Sequence, residues 1–141
     1  WLTKIEDHFQ SEKDIVGLCG PTSFYDFKPF FGSPMPTQLY LYMSYLILRK
    51  HVMIGANMIL TKKAWEIIKN EVSLNDKDIH EDIDLSIHLM RHGRIKYDSS
   101  LVVYQSSRRM KNNPYSFFVL YTIKYMRTYI QNRNTLWQKA T

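Results

Sequence analysis

Short apolar segments of strand length alternate along this chain with longer segments of helical periodicity, and this alternation limits the fold more than any other feature. Residues 14–19 form a buried-strand pattern that ends at Gly20-Pro21, and residues 62–71 place their apolar side chains on one helical face. Residues 94–97 again have the length and composition of a strand. Such alternation is typical of helices packed on a sheet. We therefore predict an α/β fold with a mixed sheet and flanking helices.

The remaining segments fit the same scheme. The stretch from Gly20 to Pro36 holds four prolines and two glycines, which predicts a long irregular loop. Thr61 is placed to cap the helix that follows it. Residues 75–78 are polar and predict a turn. The other predicted elements are helices at 1–9, 38–50 and 79–92, strands at 52–60 and 101–105, and a last helix that begins at 112–114.

Composition limits the class of protein and the kind of partner. With 45% hydrophobic and 23% charged residues, the chain has the balance of a globular domain and not of a disordered one. No apolar run approaches the roughly 20 residues of a membrane-spanning helix. A net charge of +6 favours anionic partners such as nucleotide diphosphates, lipid headgroups or nucleic acid. The chain has a single cysteine, Cys19, which excludes an internal disulfide and fits a reducing compartment. We expect its thiol to be buried.

An acidic pair, Glu81 and Asp82, opens the predicted helix 79–92 and allows two interpretations. Carboxylates are favoured in a first helical turn because they complement the helix dipole, and this structural role needs no active site. Alternatively, one carboxylate projects into a cleft and acts as a general base, which requires reach to a substrate proton and a suitable pKa. The pair by itself does not separate the two interpretations.

The order of motifs around the acidic pair adds information. Gly55-Ala56-Asn57 precedes a strand and a helix, the acidic pair follows, and a Gln-x-x-Arg element comes after the next strands. In this order the chain resembles the family-2 inverting glycosyltransferases, which include the cellulose and hyaluronan synthases. The resemblance covers residues 1–109, and its matching positions are Trp1, Leu2, Gly20, Gly55, Asn57, Glu81, Asp82, Asp84, Leu85, Gly93, Gln105 and Arg108.

This resemblance implies a fold and a role for each matched residue. Residues 1–111 would be the C-terminal, acceptor-side part of an incomplete GT-A fold. Residues 112–141 are predicted from their own pattern to be an amphipathic helix, which either lies at a membrane interface or packs on the domain. Asp82 would be the catalytic base, supported by Glu81. The substrate-binding positions would be Gly20, Gly55, Asn57, Gln105, Arg108 and Arg109.

The resemblance also implies partners and a location. The substrates would be a nucleotide-diphosphate sugar and a carbohydrate or lipid-linked acceptor. A divalent cation, Mg²⁺ or Mn²⁺, would be held by a D-x-D element upstream of Trp1, so this chain alone would be inactive. Arg109 replaces the aromatic residue of the Q-x-x-R-W motif, which favours transfer of single sugars. The location would be the cytoplasm or the cytoplasmic face of a membrane.

Two further patterns have other interpretations. The basic run from Arg108 to Lys111 could instead make the chain a peripheral-membrane or nucleic-acid-binding module, with nucleic acid the less favoured partner. His88 and His92 have a zinc-compatible spacing, but no third ligand is evident, so we expect surface histidines. The acids of Asp76-Lys77-Asp78 are expected to be solvated turn residues.

Overall fold

The computed structural model describes residues 1–27, 32–73 and 76–137, and its helices and strands alternate as the sequence predicts. A π-helical turn at Ser116–Leu120 leads directly into the last helix. The helices are α1 (Leu2–Ser11), α2 (Met35–Leu48), α3 (Lys62–Ile68), α4 (Glu81–Leu89), α5 (Arg108–Asn112) and α6 (Tyr121–Trp137). The strands are β1 (Ile15–Cys19), β2 (Thr22–Phe24), β3 (Met58–Leu60), β4 (Arg94–Tyr97) and β5 (Val103–Gln105).

Two small sheets organise the chain. In the first, β1 is central and pairs antiparallel with β3 and parallel with β4. In the second, β2 and β5 form a parallel pair. Helix α4 packs closely on β1, since a Cβ atom added at Gly17 would lie 2.8 Å from the Leu89 side chain. The fold is therefore mixed α/β with flanking helices, and the predicted fold class is confirmed at this level.

The main core lies between the first sheet and the inner faces of the helices. Helix α4 contributes Ile83, Leu85, Ile87 and Leu89, more than any other helix or strand, and the segment before β3 adds Val52 and Met53. Cys19 is buried at the end of β1, as predicted, and burial raises the pKa of its thiol to about 12. A second small cluster lies under α1 and consists of Ile5, Leu18 and Leu101.

Among the described residues, α2 and α6 carry many of the large apolar side chains that are exposed. Helix α2 contains no charged residue and buries only Leu41, Ser44 and Leu48. Helix α6 also has an exposed apolar outer face, which surrounds a shallow groove lined by Ile123, Met126 and Ile130. Among the described residues, no helix combines the length and apolar character needed to cross a bilayer. The exposed large apolar residues of α2 and of the segment from the π-helical turn through α6 are Met35, Leu39, Tyr40, Tyr42, Met43, Tyr45, Leu46, Ile47, Phe118, Val119, Leu120, Ile123, Met126 and Ile130.

Local chemistry explains where the predicted boundaries hold. The prediction for 94–97 matches β4, and the helix predicted at 1–9 is α1, which begins one residue later and ends two residues later. Thr61 caps α3 as predicted, since its hydroxyl accepts a hydrogen bond of 3.1 Å from the Ala64 amide.

Other boundaries were wrong. The segment predicted as an irregular loop contains β2, because Thr22–Phe24 finds a parallel partner in β5. Of the strand predicted at 52–60 only β3 forms, because the Asn57 amide donates to the Ile54 carbonyl and closes a tight turn. Helix α4 is shorter than predicted, since residues 76–79 form a turn before it and the chain turns again after Leu89. The last predicted helix is preceded by the separate short helix α5. Residues 28–31 and 75 of the predicted loop and turn lie outside the described residues.

Candidate functional site

The centre of the site is a hydrogen bond between two of the predicted motifs. Asp82 lies in the first turn of α4, and its Oδ2 accepts a hydrogen bond of 2.7 Å from the Gly55 amide. A Cβ atom at position 55 would lie 2.8 Å from Oδ1 and 3.0 Å from Oδ2 of Asp82. Glycine therefore allows the carboxylate to approach the backbone closely, and a larger residue here would displace it.

A second connection holds α4 against the same segment of chain. The Ser86 hydroxyl donates to the Asp82 carbonyl at 2.6 Å and accepts a hydrogen bond of 3.0 Å from the Met53 amide. Ser86 is completely buried, so both bonds form away from water. Residues 53–55 thus contact α4 at two points, one at the Ser86 side chain and one at the Asp82 carboxylate.

Aromatic and imidazole side chains surround the acidic end of α4. The His80 ring contacts the edges of Tyr121 and Tyr125, at centroid distances of 5.4 and 6.3 Å. Burial lowers the pKa of His80, although the carboxylates of Asp82 and Glu81 act in the opposite direction. Tyr40 is partly exposed, but its hydroxyl is removed from water, which raises its pKa, and the charge of Asp82 adds to that shift. Near neutral pH the His80 imidazole is therefore uncharged.

Helix α6 supplies the other contacts to this end of α4. The His80 amide donates to the Thr128 Oγ1 at 2.8 Å. Asp84 is 2% exposed and accepts hydrogen bonds from the Asn132 side chain at 3.0 Å and from the Ser73 amide at 2.7 Å. These bonds attach α4 to α6 immediately before and after Asp82.

Asn57 and Gly20 form a separate brace between the two sheets. The Asn57 side chain is 2% exposed, and its Nδ2 donates to the carbonyls of Leu101 and Pro21 at 2.5 and 3.2 Å. A Cβ atom at Gly20 would lie 2.2 Å from the Leu101 carbonyl oxygen and 2.9 Å from Asn57 Nδ2. Both residues therefore hold the end of β1 against the segment that leads into β5.

The Gln-x-x-Arg element lies at the end of β5. The Gln105 side chain donates to the Thr22 hydroxyl at 2.9 Å, which ties it to β2. The guanidinium of Arg109 lies 4.9 Å from the ring centroid of Tyr121. Arg108 is exposed, and its guanidinium makes no hydrogen bond or ion pair with any residue that the structure describes.

Asp26 anchors the chain just before α5. Its Oδ1 accepts a hydrogen bond of 2.7 Å from the Ser107 amide, and its Oδ2 accepts one of 2.9 Å from the Ser106 hydroxyl. The Ser107 amide, helped by the Ser106 hydroxyl, lowers the pKa of Asp26 to about 2. The Lys111 ammonium also donates to the Asp26 carbonyl. This junction fixes where Arg108 begins its helix.

The structure brings some predicted site residues together and leaves others apart. Gly55 contacts Asp82, and Gly20 contacts Asn57, but the Asn57 amide faces the sheet brace instead of the Asp82 carboxylate. Glu81 is exposed at the start of α4. Sequence reasoning missed Tyr40, His80 and Thr128 as neighbours of the acidic pair. The helical spacing of Tyr121, Tyr125, Thr128 and Asn132 was the available signal for α6.

The described residues offer little to a metal ion. No three His, Cys, Asp or Glu side chains in this part of the molecule are grouped so as to hold one. His88 lies between Glu71 at 3.2 Å and Asp84 at 3.7 Å, so it is a half-buried structural residue instead of the surface histidine we expected. Asp78 is exposed in a turn and pairs with Arg127 at 2.9 Å.

Comparisons with known proteins add no relative: no family model, no curated protein and no solved structure matches this chain.

Proposed function

We propose that this chain is the acceptor-side part of an inverting family-2 glycosyltransferase with an incomplete GT-A fold, in which Asp82 is the general base. The observation that supports the proposal is the hydrogen bond between the Gly55 amide and the Asp82 carboxylate. It joins the Gly-x-Asn element to the acidic pair across 27 residues of sequence. A carboxylate that only caps a helix needs no such partner from another element.

The free oxygen of Asp82 suits a base. Only Oδ2 accepts a hydrogen bond from the described residues, so Oδ1 is available to a substrate hydroxyl. In the proposed step Asp82 removes the proton of the acceptor hydroxyl, and that oxygen forms a bond to the anomeric carbon of the nucleotide-diphosphate sugar. The bond from that carbon to the diphosphate oxygen breaks, and the configuration inverts. The diphosphate leaves with the electron pair.

Other residues would assist this step. The exposed Arg108 guanidinium is available to the diphosphate or the acceptor, and guanidinium groups bind both by paired hydrogen bonds. Arg109 packs beside Tyr121 near the start of α6. A divalent cation held by upstream residues would neutralise the diphosphate charge in the complete enzyme. Those ligands and the identity of the sugar stay predictions.

The proposal is tested in a longer protein in which a D-x-D element precedes this chain, as the proposal requires. A panel of UDP-, GDP- and dTDP-sugars is offered with a carbohydrate or lipid-linked acceptor, and release of the nucleoside diphosphate is measured. Asp82→Asn keeps an acceptor for the Gly55 amide but cannot take up a proton, so we expect turnover to fall at least about 100-fold. Donor affinity should not change. The exposed Asp7→Asn variant is the matched control, and wild-type turnover by Asp82→Asn would refute the role of Asp82.

A second candidate is a basic peripheral-membrane module, which the uncovered apolar faces of α2 and α6 favour. Lys124, Arg127 and Arg133 lie on α6, which also carries the exposed Ile123 and Ile130. Interfacial helices combine an apolar face with basic residues in this way. Sedimentation with phosphatidylserine vesicles, with phosphatidylcholine vesicles as control, tests this candidate. Binding that is salt-sensitive and lost in Ile123→Glu/Ile130→Glu would support it.

A further inference from the structure

We propose that α6 holds the N-terminal end of α4 in place, and that Thr128 is a positioning residue for Asp82. This inference rests on the proposed function of Asp82. Helix α6 contacts α4 with one stripe of side chains at helical spacing, namely Tyr121, Tyr125, Thr128 and Asn132. The opposite face of the helix is exposed.

The first attachment point lies two residues before Asp82. The Thr128 hydroxyl donates its proton to the Lys124 carbonyl at 2.8 Å, so its oxygen has a lone pair free for the His80 amide. Thr128 is completely buried, so no water replaces that acceptor. His80 is the N-cap residue of α4, and its own side chain makes no capping hydrogen bond. Thr128 therefore fixes the position of the first turn of α4 relative to α6.

The second attachment point lies two residues after Asp82. Asn132 donates to the buried carboxylate of Asp84, which also accepts from the Ser73 amide. Because the chain is held by α6 on both sides of Asp82, the Asp82 backbone has little freedom to move. The Gly55 amide holds the side chain from another element. A displacement of α6 would consequently move the Asp82 carboxylate relative to Gly55.

The alternative is that α6 only contributes to the stability of the core. The two roles differ in what a small change at position 128 does. Thr128→Val keeps the volume and the branching at Cβ but removes the acceptor of the His80 amide. Thr128→Ser keeps the hydroxyl. If Thr128 is a positioning residue, Thr128→Val should shift the Asp82 carboxylate relative to Gly55, and Thr128→Ser should keep its position.

The experiment is a pH titration of the ¹⁵N-labelled chain by NMR. The Gly55 amide proton is bonded to Asp82, so its chemical shift should follow ionisation of that carboxylate, and Asp82→Asn should abolish the response. In Thr128→Val we expect the response of Gly55 to fall at least twofold, and the His80 amide to exchange with solvent about tenfold faster. Amides of β1 should keep their exchange rates. Thr128→Ser should match the wild type.

Two results would overturn the inference. One is a Thr128→Val protein in which the Gly55 response equals that of the wild type. The other is an equal rise in exchange at His80 and in β1 with no separate change at Gly55, because that pattern reports only a loss of global stability. If Thr128→Val does not fold, Asn132→Ala decides in its place: a reduced Gly55 response supports the inference, and an unchanged one refutes it.

The outcomes separate this inference from the proposed function. The NMR titration needs no substrate and reports only on how α6 holds Asp82. In the longer protein, Thr128→Val should lower turnover without a change in donor affinity, whereas Thr128→Ser should keep turnover. Full activity of Asp82→Asn would defeat the proposed function and leave the NMR result intact.

Discussion

Replacing Gly55 by alanine tests the contact on which the candidate site depends. The new methyl carbon would lie 2.8 and 3.0 Å from the two carboxylate oxygens of Asp82, closer than carbon and oxygen normally approach. The backbone at Gly55 is not in the left-handed region, so alanine can adopt it without strain. The carboxylate must therefore give way by a few tenths of an ångström or rotate, and the 2.7 Å hydrogen bond is lengthened or lost.

Two effects of opposite sign act on stability. A hydrogen bond to a charged group contributes about 1.5–3 kcal/mol, and because this one is exposed to solvent we take about 1 kcal/mol. Alanine restricts the unfolded chain more than glycine does, which stabilises the folded state by about 0.4–1 kcal/mol. The free energy of unfolding should thus change by less than about 1 kcal/mol. If Asp82 is the base, as we propose, activity should fall much further, by about 100-fold, because a base displaced from its working position loses most of its effect.

The assay combines urea denaturation with nucleoside-diphosphate release in the longer protein. Ala56→Ser changes the adjacent exposed residue of the same turn and is the matched control. We expect Gly55→Ala to unfold near the wild-type midpoint, with turnover strongly reduced and donor affinity retained. Undiminished turnover together with an unchanged Gly55-region NMR spectrum would show that the close approach to Asp82 has no consequence for catalysis.

Two further predictions concern buried and acid-sensitive carboxylates. Asp84→Ala leaves the Ser73 amide and the Asn132 side chain without their acceptor. The free energy of unfolding, measured by urea titration, should therefore fall by about 3 kcal/mol. A loss below about 1 kcal/mol would contradict a structural role for this carboxylate. The folded-state pKa of Asp26 is about 2 against an ordinary 3.8, so its stabilising contribution is complete above pH 3.8 and disappears as the pH falls toward 2. The urea midpoint should therefore drop over that interval, and less steeply in Asp26→Asn; equal slopes would refute the assignment.

The sequence predicted those parts of the fold that depend on local chemistry. Thr61 is a strong helix cap, so the start of α3 was predicted correctly, although the helix ends at Ile68 and not at Glu71 as predicted. The residues of β4 were also placed correctly, because Ile95 and Tyr97 alternate with charged residues directly after Gly93, as in a half-buried strand. The start of α4 was predicted within two residues of its observed position, because acidic residues are typical of a first helical turn.

The parts that the sequence did not predict depend on partners that are distant along the chain. Thr22–Phe24 lies among prolines and glycines and becomes a strand only because β5 pairs with it. Asn57 belongs to a recognisable motif, yet its orientation is decided by the carbonyls of Pro21 and Leu101, which no local pattern indicates. The role of Thr128 likewise depends on the His80 amide, 48 residues earlier.

The parallel pairing of β2 with β5 has a consequence for how the chain folds. The hydrogen bond between Thr22 and Gln105 joins residues separated by 83 positions, and β1 likewise waits for β4. Closing a loop of this length is slow, so β2 stays unpaired until β5 has been synthesised and that loop has closed, although β1 can pair earlier with β3. During that interval the apolar side chains of α2 are already present and uncovered. Expression at low temperature, which slows synthesis and aggregation together, should therefore raise the yield of folded protein.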